Sequence, residues 1–272
     1  MAFRITLGQY YPSNSLIHRL DPRAKIIAAL LVMIAVFFIN NPVQLLLGWI
    51  GAIVTTLLCR VPVSKVLTAV KPVIYMLCIL AFFNLLLIRE GNVLVSFGPI
   101  TITEGGAWGA ILYSLRLVIG VVAAALLLLS TTPTEITDAC DAGLAPLARF
   151  GFPAHELAMI FSLMLRFIPT IADEASAIID AQTSRGGALA AGSFVHRVKS
   201  IGPVVISLLA SSLRHASGLS RALDARCYEG GATRSPWHPL KWELKDTLAV
   251  ICVAAFVGVL IALRFVIPFW LY

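Results

Sequence analysis

Four stretches of this chain are too apolar to be stable as solvated surface. They run near Lys25–Ile39, Val43–Cys59, Val66–Ile88 and Ile111–Ser130, and a fifth follows from about Thr247 to Leu271. A helix crossing the hydrocarbon layer needs roughly 20 apolar residues. Only 13% of the 272 residues are charged, against about 25% in an ordinary soluble domain. The chain is therefore expected to be an all-α integral membrane protein with about five transmembrane helices.

The placement of the remaining charges predicts its orientation. Arg4, Arg19, Arg23 and Lys25 precede the first span, and Arg60 and Lys65 separate the second from the third. Between the first and second there is only Asn40-Asn41-Pro42, and between the third and fourth lie Arg89, Glu90 and Glu104. Cytoplasmic loops collect Lys and Arg, so the N-terminus is expected inside and the chain back inside after four spans. The net charge of +7 then reflects orientation and not a nucleic-acid partner. No cleavable leader is expected, because the first apolar run begins some twenty-four residues in and further spans follow it. Three parts result: a four-span membrane part over 1–131, a water-facing region over 132–245 and a final transmembrane helix over 246–272.

The middle region predicts three helices. Thr132-Pro133-Thr134-Glu135 fits a capping box with proline at the first helical position, starting a short helix that runs to about Arg149. A second should begin at Pro153, carry an apolar stripe at Ile168, Ile171, Ala175 and Ile178, kink at Pro169 and end at Arg185 before Gly186 and Gly187. A third should begin at Pro203 after Gly202 and end near Arg226, with a stripe at Leu209, Leu213, Ala216 and Leu223. At about 1.5 Å per residue the two long helices would extend about 48 Å and 36 Å. Small residues along the third (Ser211, Ser212, Ala216, Gly218) let another helix approach closely, so two crossing arms are expected.

Both arms end alike. "DAQTSRGG" and "LDARCYEGG" align on Arg185 and Arg226, forty-one positions apart, with Ala181 and Ala222 four residues upstream and the small Ser184 or Ala225 directly before the arginine. An arginine at a helix C-terminus complements the macrodipole, which would explain one occurrence. It does not require the small neighbours or the second copy. A guanidinium is a rigid five-donor fork that stays charged when desolvated, and small neighbours would let such a tip enter a groove. Two tips imply two sockets, hence a dimeric or pseudo-dimeric partner.

On these residues the chain resembles the transmembrane T components of energy-coupling factor (ECF) transporters, prokaryotic vitamin and micronutrient importers of the ABC class. The resemblance rests on "GQYYPSNSLIHRLDPRAKI" (Gly8–Ile26), "LRFIPTIADEASAIIDAQTSRGG" (Leu165–Gly187) and "RALDARCYEGG" (Arg221–Gly231), and with the order of spans it covers nearly the whole chain. It implies that the arms are coupling helices, each ending in an Ala-Arg-Gly-type motif that docks one of two ABC ATPase subunits. Arg185 with Ser184 and Gly186 would form one tip, and Arg226 with Ala225 and Cys227 the other. Serine replaces alanine in the first and cysteine replaces glycine in the second. The resemblance further implies a separate membrane-embedded substrate-binding S component, a multi-pass location in the prokaryotic cytoplasmic membrane, and ATP and magnesium held only by the partner ATPases. Within the N-terminal signature, Asp21 and Pro22 fit an N-cap and first helical residue, and Arg23 and Lys25 fit positive-inside anchors.

Other classes fit less well. No Gly-Lys dipeptide occurs, which excludes a P-loop, so this subunit is expected to be non-catalytic. A stand-alone secondary transporter or channel places ionisable groups near the midplane, and the spans offer only Lys71, Arg116 and Arg264, with no acidic residue deep in any of them. Neither a Ser/His/Asp set nor an H-E-x-x-H motif supports an intramembrane enzyme. His18, His155, His196, His215 and His238 lack metal-ligand spacing, and the five cysteines form no C-x-x-C pair.

Overall fold

The computed structural model describes residues 10–87, 93–97, 100–145, 154–185, 194–228 and 240–266. Among them are eight helices: α1 (Pro22–Val36), α2 (Pro42–Cys59), α3 (Val63–Leu87), α4 (Glu104–Ser130), α5 (Pro133–Leu144), α6 (Ala154–Ser184), α7 (Phe194–Asp224) and α8 (Leu244–Val266). α2, α3, α4 and α8 are long and apolar enough to cross a membrane. α1 is the fifth apolar helix, but its 15 residues extend only about 22 Å, short of the ~30 Å hydrocarbon core. It stops early because Asn40 and Asn41 already serve the next helix, both donating backbone N–H groups to Gln44 Oε1 at 2.9 and 3.0 Å.

α4 starts seven residues before the expected Ile111. Thr103 caps it, accepting from the Gly106 N–H at 3.2 Å. Ahead of it, β1 (Val93–Phe97) and β2 (Ile100–Thr103) form a short antiparallel hairpin that the sequence analysis missed. The signal was the alternation of Val93, Val95 and Phe97.

The chain divides into two compact units. One contains the described residues of 10–139 and 240–266, the other those of 140–228. In the first, α4 packs on α3, α1 and α2, and α8 packs on α1 and α2. Its core is Cys59, Val61, Val66, Val70, Val122, Leu126 and Leu129, with a second cluster at Val36, Ile39 and Ile119. α2 approaches its neighbours closely through two glycines a turn apart. A Cβ on Gly48 would come within 3.0 Å of Ile119, and one on Gly51 within 2.6 Å of the Phe256 ring. The outward sides of these helices carry Leu46, Ile50, Tyr75, Met76, Phe82, Leu248 and Ile251, all exposed, as lipid contact requires.

In the second unit α6 and α7, each 31 residues long, cross near mid-length. The Ser211 hydroxyl donates to Glu174 Oε1, the His215 Nδ1 lies 3.9 Å from Glu174 Oε2, and the Phe167 and His215 rings lie 6.3 Å apart. One expected boundary is corrected. α7 does not begin at Pro203 but at Phe194, with Pro203 inside it, as Pro72 lies inside α3 and Pro169 inside α6. Without a Cβ, Gly202 escapes part of the clash that disfavours a helical residue before proline. α5 is described to Leu144, and its expected continuation from Pro146 to Arg149 lies outside the described residues.

Candidate functional site: two exposed arginine tips and a polar clasp

The first tip closes with ordinary helical bonding. The Arg185 N–H reaches Ala181 O at 3.2 Å, and the Ser184 hydroxyl turns back to Asp180 O at 2.9 Å. Ala181, Ser184 and Arg185 are exposed, while Gly186 and Gly187 lie outside the described residues.

The second tip has a complete Schellman closure. Cys227 N–H donates to Asp224 O at 2.9 Å and Tyr228 N–H to Leu223 O at 3.1 Å, the paired bonds that define this motif. The left-handed position, usually glycine, is taken by Cys227 at φ 51°. Cysteine thus occupies the glycine position of the motif with the cap bonds intact. Ala222, Ala225, Arg226 and Cys227 are all exposed. Among the described residues neither Arg185 nor Arg226 forms an ion pair or a side-chain hydrogen bond. A groove of about 580 Å³ begins at the α6–α7 crossing and extends to Ala222, one turn before Arg226. Phe167, Arg214, His215 and Leu219 line it.

A different arrangement surrounds the N-terminal signature. Asp21 caps α1, its carboxylate accepting from the Arg23 N–H at 2.9 Å, with Pro22 first in the helix. Arg23 Nε lies 4.0 Å from Asp21 Oδ1. Lys25, read from sequence as a positive-inside anchor, is buried. It is 6% exposed, and its ammonium donates to His18 O at 2.9 Å and to Ser130 O at 3.2 Å. The segment ahead of α1 also supplies the Tyr11 N–H to Leu129 O at 3.0 Å and the Ser13 hydroxyl to Cys59 O at 2.9 Å. The His18 ring braces that segment, with Nε2 3.1 Å from Tyr11 O and Nδ1 2.6 Å from the Ser15 hydroxyl. Tyr11 O can only accept, so Nε2 carries the proton and Nδ1 accepts from Ser15. Burial pushes this imidazole below its ordinary value, although the Tyr11 carbonyl pulls the other way.

Asp246 completes the arrangement. It is 3% exposed, and its two oxygens accept from the Asp21 N–H and the Glu243 N–H, each at 2.8 Å. Sequence reasoning missed it because its partner lies 225 positions away.

The ionisable groups in the spans fit structural roles. Lys71 and Arg264 are exposed. Arg116 donates to Ile39 O at 3.5 Å and sits 4.6 Å above the Tyr113 ring. It thus serves a carbonyl left free beyond the end of α1. Among the described residues no cluster of His, Cys, Asp and Glu could hold a metal. Trp242, just ahead of α8, donates to the Thr247 hydroxyl at 2.7 Å. The side chains of His155, His196 and His238 lie outside the described residues.

The chain is similar to known proteins over most of its length. The model of the cobalt transport protein family, CbiQ, matches residues 13–237. The energy-coupling factor transporter transmembrane protein EcfT of Streptococcus equi subsp. equi is 41% identical over 250 residues, covering 92% of this chain and 93% of that protein. Its namesake in Ruminiclostridium cellulolyticum is 39% identical over 262 residues, covering 96% and 98%. A Bifidobacterium longum protein named as an ABC transporter ATP-binding protein is 40% identical over 252 residues, and this chain spans 32% of its length.

Proposed function

The chain belongs to the CbiQ family as the energy-coupling transmembrane component of an ECF transporter, and from that premise we propose that it transmits motion between two ABC ATPases and a substrate-binding membrane protein. The observation that carries this reading is the pair of tips: two long crossing helices, each ending in an exposed arginine with a small residue before it and, among the described residues, no ion pair. Arg185 and Arg226 would each enter a socket on one ATPase. ATP binding and release would change the distance between sockets, and the arms would change their crossing angle about Glu174 and Ser211. That a relative named as an ATP-binding protein contains a stretch like this chain supports a lasting partnership with such an ATPase.

ATP and magnesium would be held by the ATPases, and the S component would select the vitamin or other micronutrient. The N-terminus would be cytoplasmic, on the side of Arg60 and Lys65. The test is a membrane pull-down of the tagged chain beside Arg185→Ala, Arg226→Ala and the double variant. The expected result is two ABC ATPases with the wild type and none with a double variant that remains well folded. Retention of both ATPases by the double variant would return the arginines to the role of helix caps.

A further inference from the structure

We infer that Lys25 and Asp246 are positioning residues for energy coupling: they fix the α4–α5 elbow to the ends of four helices, so that motion of the arms reaches the spans. The inference rests on the coupling function proposed above.

The last carbonyls of a helix have no partner within it. At the end of α4, Leu129 O receives the Tyr11 N–H and Ser130 O receives the Lys25 ammonium. At the end of α2, Cys59 O receives the Ser13 hydroxyl. All three donors come from residues 11–25. Asp246 attaches the start of that arrangement to α8 by accepting from the backbone of Asp21 at the entry to α1. The start of α1, the ends of α2 and α4 and the start of α8 are therefore held through one short stretch of chain.

The position of the elbow makes this arrangement mechanical. Only Thr131 and Thr132 separate α4 from α5, and Thr131 is 1% exposed. The far side is fixed by a reciprocal cap, with Thr132 N–H to Glu135 Oε2 at 3.1 Å and Glu135 N–H to Thr132 Oγ1 at 3.3 Å. The Lys25 ammonium also feels the Glu135 carboxylate across the elbow. A displacement entering along α5 thus meets a junction pinned on both sides. Without Lys25 it could be absorbed by rotation at Thr131.

The choice of lysine points the same way. A buried charge is costly, and an apolar residue of similar length is often as stable in such a place. An apolar side chain could not hold Ser130 at a fixed place relative to His18.

The test uses the full transporter, reconstituted with its ATPases and S component, reading ATP hydrolysis and substrate uptake in the same vesicles. Lys25→Met is expected to retain both ATPases and hydrolyse ATP within about twofold of wild type, while uptake per ATP falls about tenfold. Lys25→Arg, which keeps the donors, should restore most of it, and Asp246→Ala should uncouple in the same direction. Ser13→Ala, which removes one neutral bond, should lower the ratio more mildly and decides the matter if Lys25→Met fails to insert. An unchanged uptake-to-hydrolysis ratio, or equal loss of both activities, overturns the inference. A wild-type chain that retains no ATPase overturns the function itself and this inference with it.

Discussion

At Cys227 the backbone takes φ 51°, a conformation that costs a residue with a Cβ roughly 1–2 kcal/mol and costs glycine little. Cys227→Gly should therefore tighten the end of α7. The Tyr228 amide, bonded to Leu223 O, should gain about fivefold protection in hydrogen exchange for each ~1 kcal/mol recovered. His18 gives a prediction about pH. Its imidazole is held below the ordinary 6.5 by burial, so the unfolded chain binds the proton more readily than the folded one. The stability this group contributes is fully present above pH 6.5 and is lost as pH falls below it. The thermal midpoint of the purified chain should decline on acidification, and His18→Gln should flatten the slope. Caps were legible at this scale because donor and acceptor lie three residues apart, as at Thr132 and Glu135. Lys25 was not, because its acceptor Ser130 lies 105 positions away and no local pattern marks such a pair.

Between elements, the α6–α7 crossing depends unequally on its two polar partners. Ser211 is 4% exposed, so Glu174→Ala would leave its hydroxyl buried without its acceptor, a loss of about 1–3 kcal/mol. The His215 side chain is 45% exposed and its ion-pair distance is 3.9 Å, so screening by solvent limits it to under about 1 kcal/mol. A thermal-shift comparison should rank Glu174→Ala well below His215→Ala, and a reversed order would place the crossing's stability elsewhere. The span cores were legible from hydrophobic runs, whereas the start of α7 was not. Gly202-Pro203 reads as a breaker in sequence, yet α7 runs through it as α3 and α6 run through Pro72 and Pro169, because tertiary context can override the local cost of an interior proline.

For the whole molecule, two docking tips would act as one bivalent ligand. If both arms engage one ATPase pair, the second arginine docks at high effective concentration. Each single variant should then still retain ATPase under mild washing and lose it on dilution. Truncation at a buried charged contact costs about 2–5 kcal/mol, so the double variant should lose it under both conditions. The membrane class was legible because lipid contact requires an unbroken apolar exterior, written directly in the residues. How the helix ends are held together was not, since that depends on which distant termini meet.

The order in which these parts leave the ribosome has a consequence of its own. Residues 145–243 lie between α5 and α8, the last helix of the membrane unit, so both arms are synthesised before Asp246 exists. Until then the Asp21 amide lacks its acceptor, and Gln44, 1% exposed, lacks Leu260 O, its partner at 2.7 Å. A chain stalled after the arms would hold unsatisfied polar groups where packed helices should surround them, and arrival of the final helix supplies both missing acceptors at once.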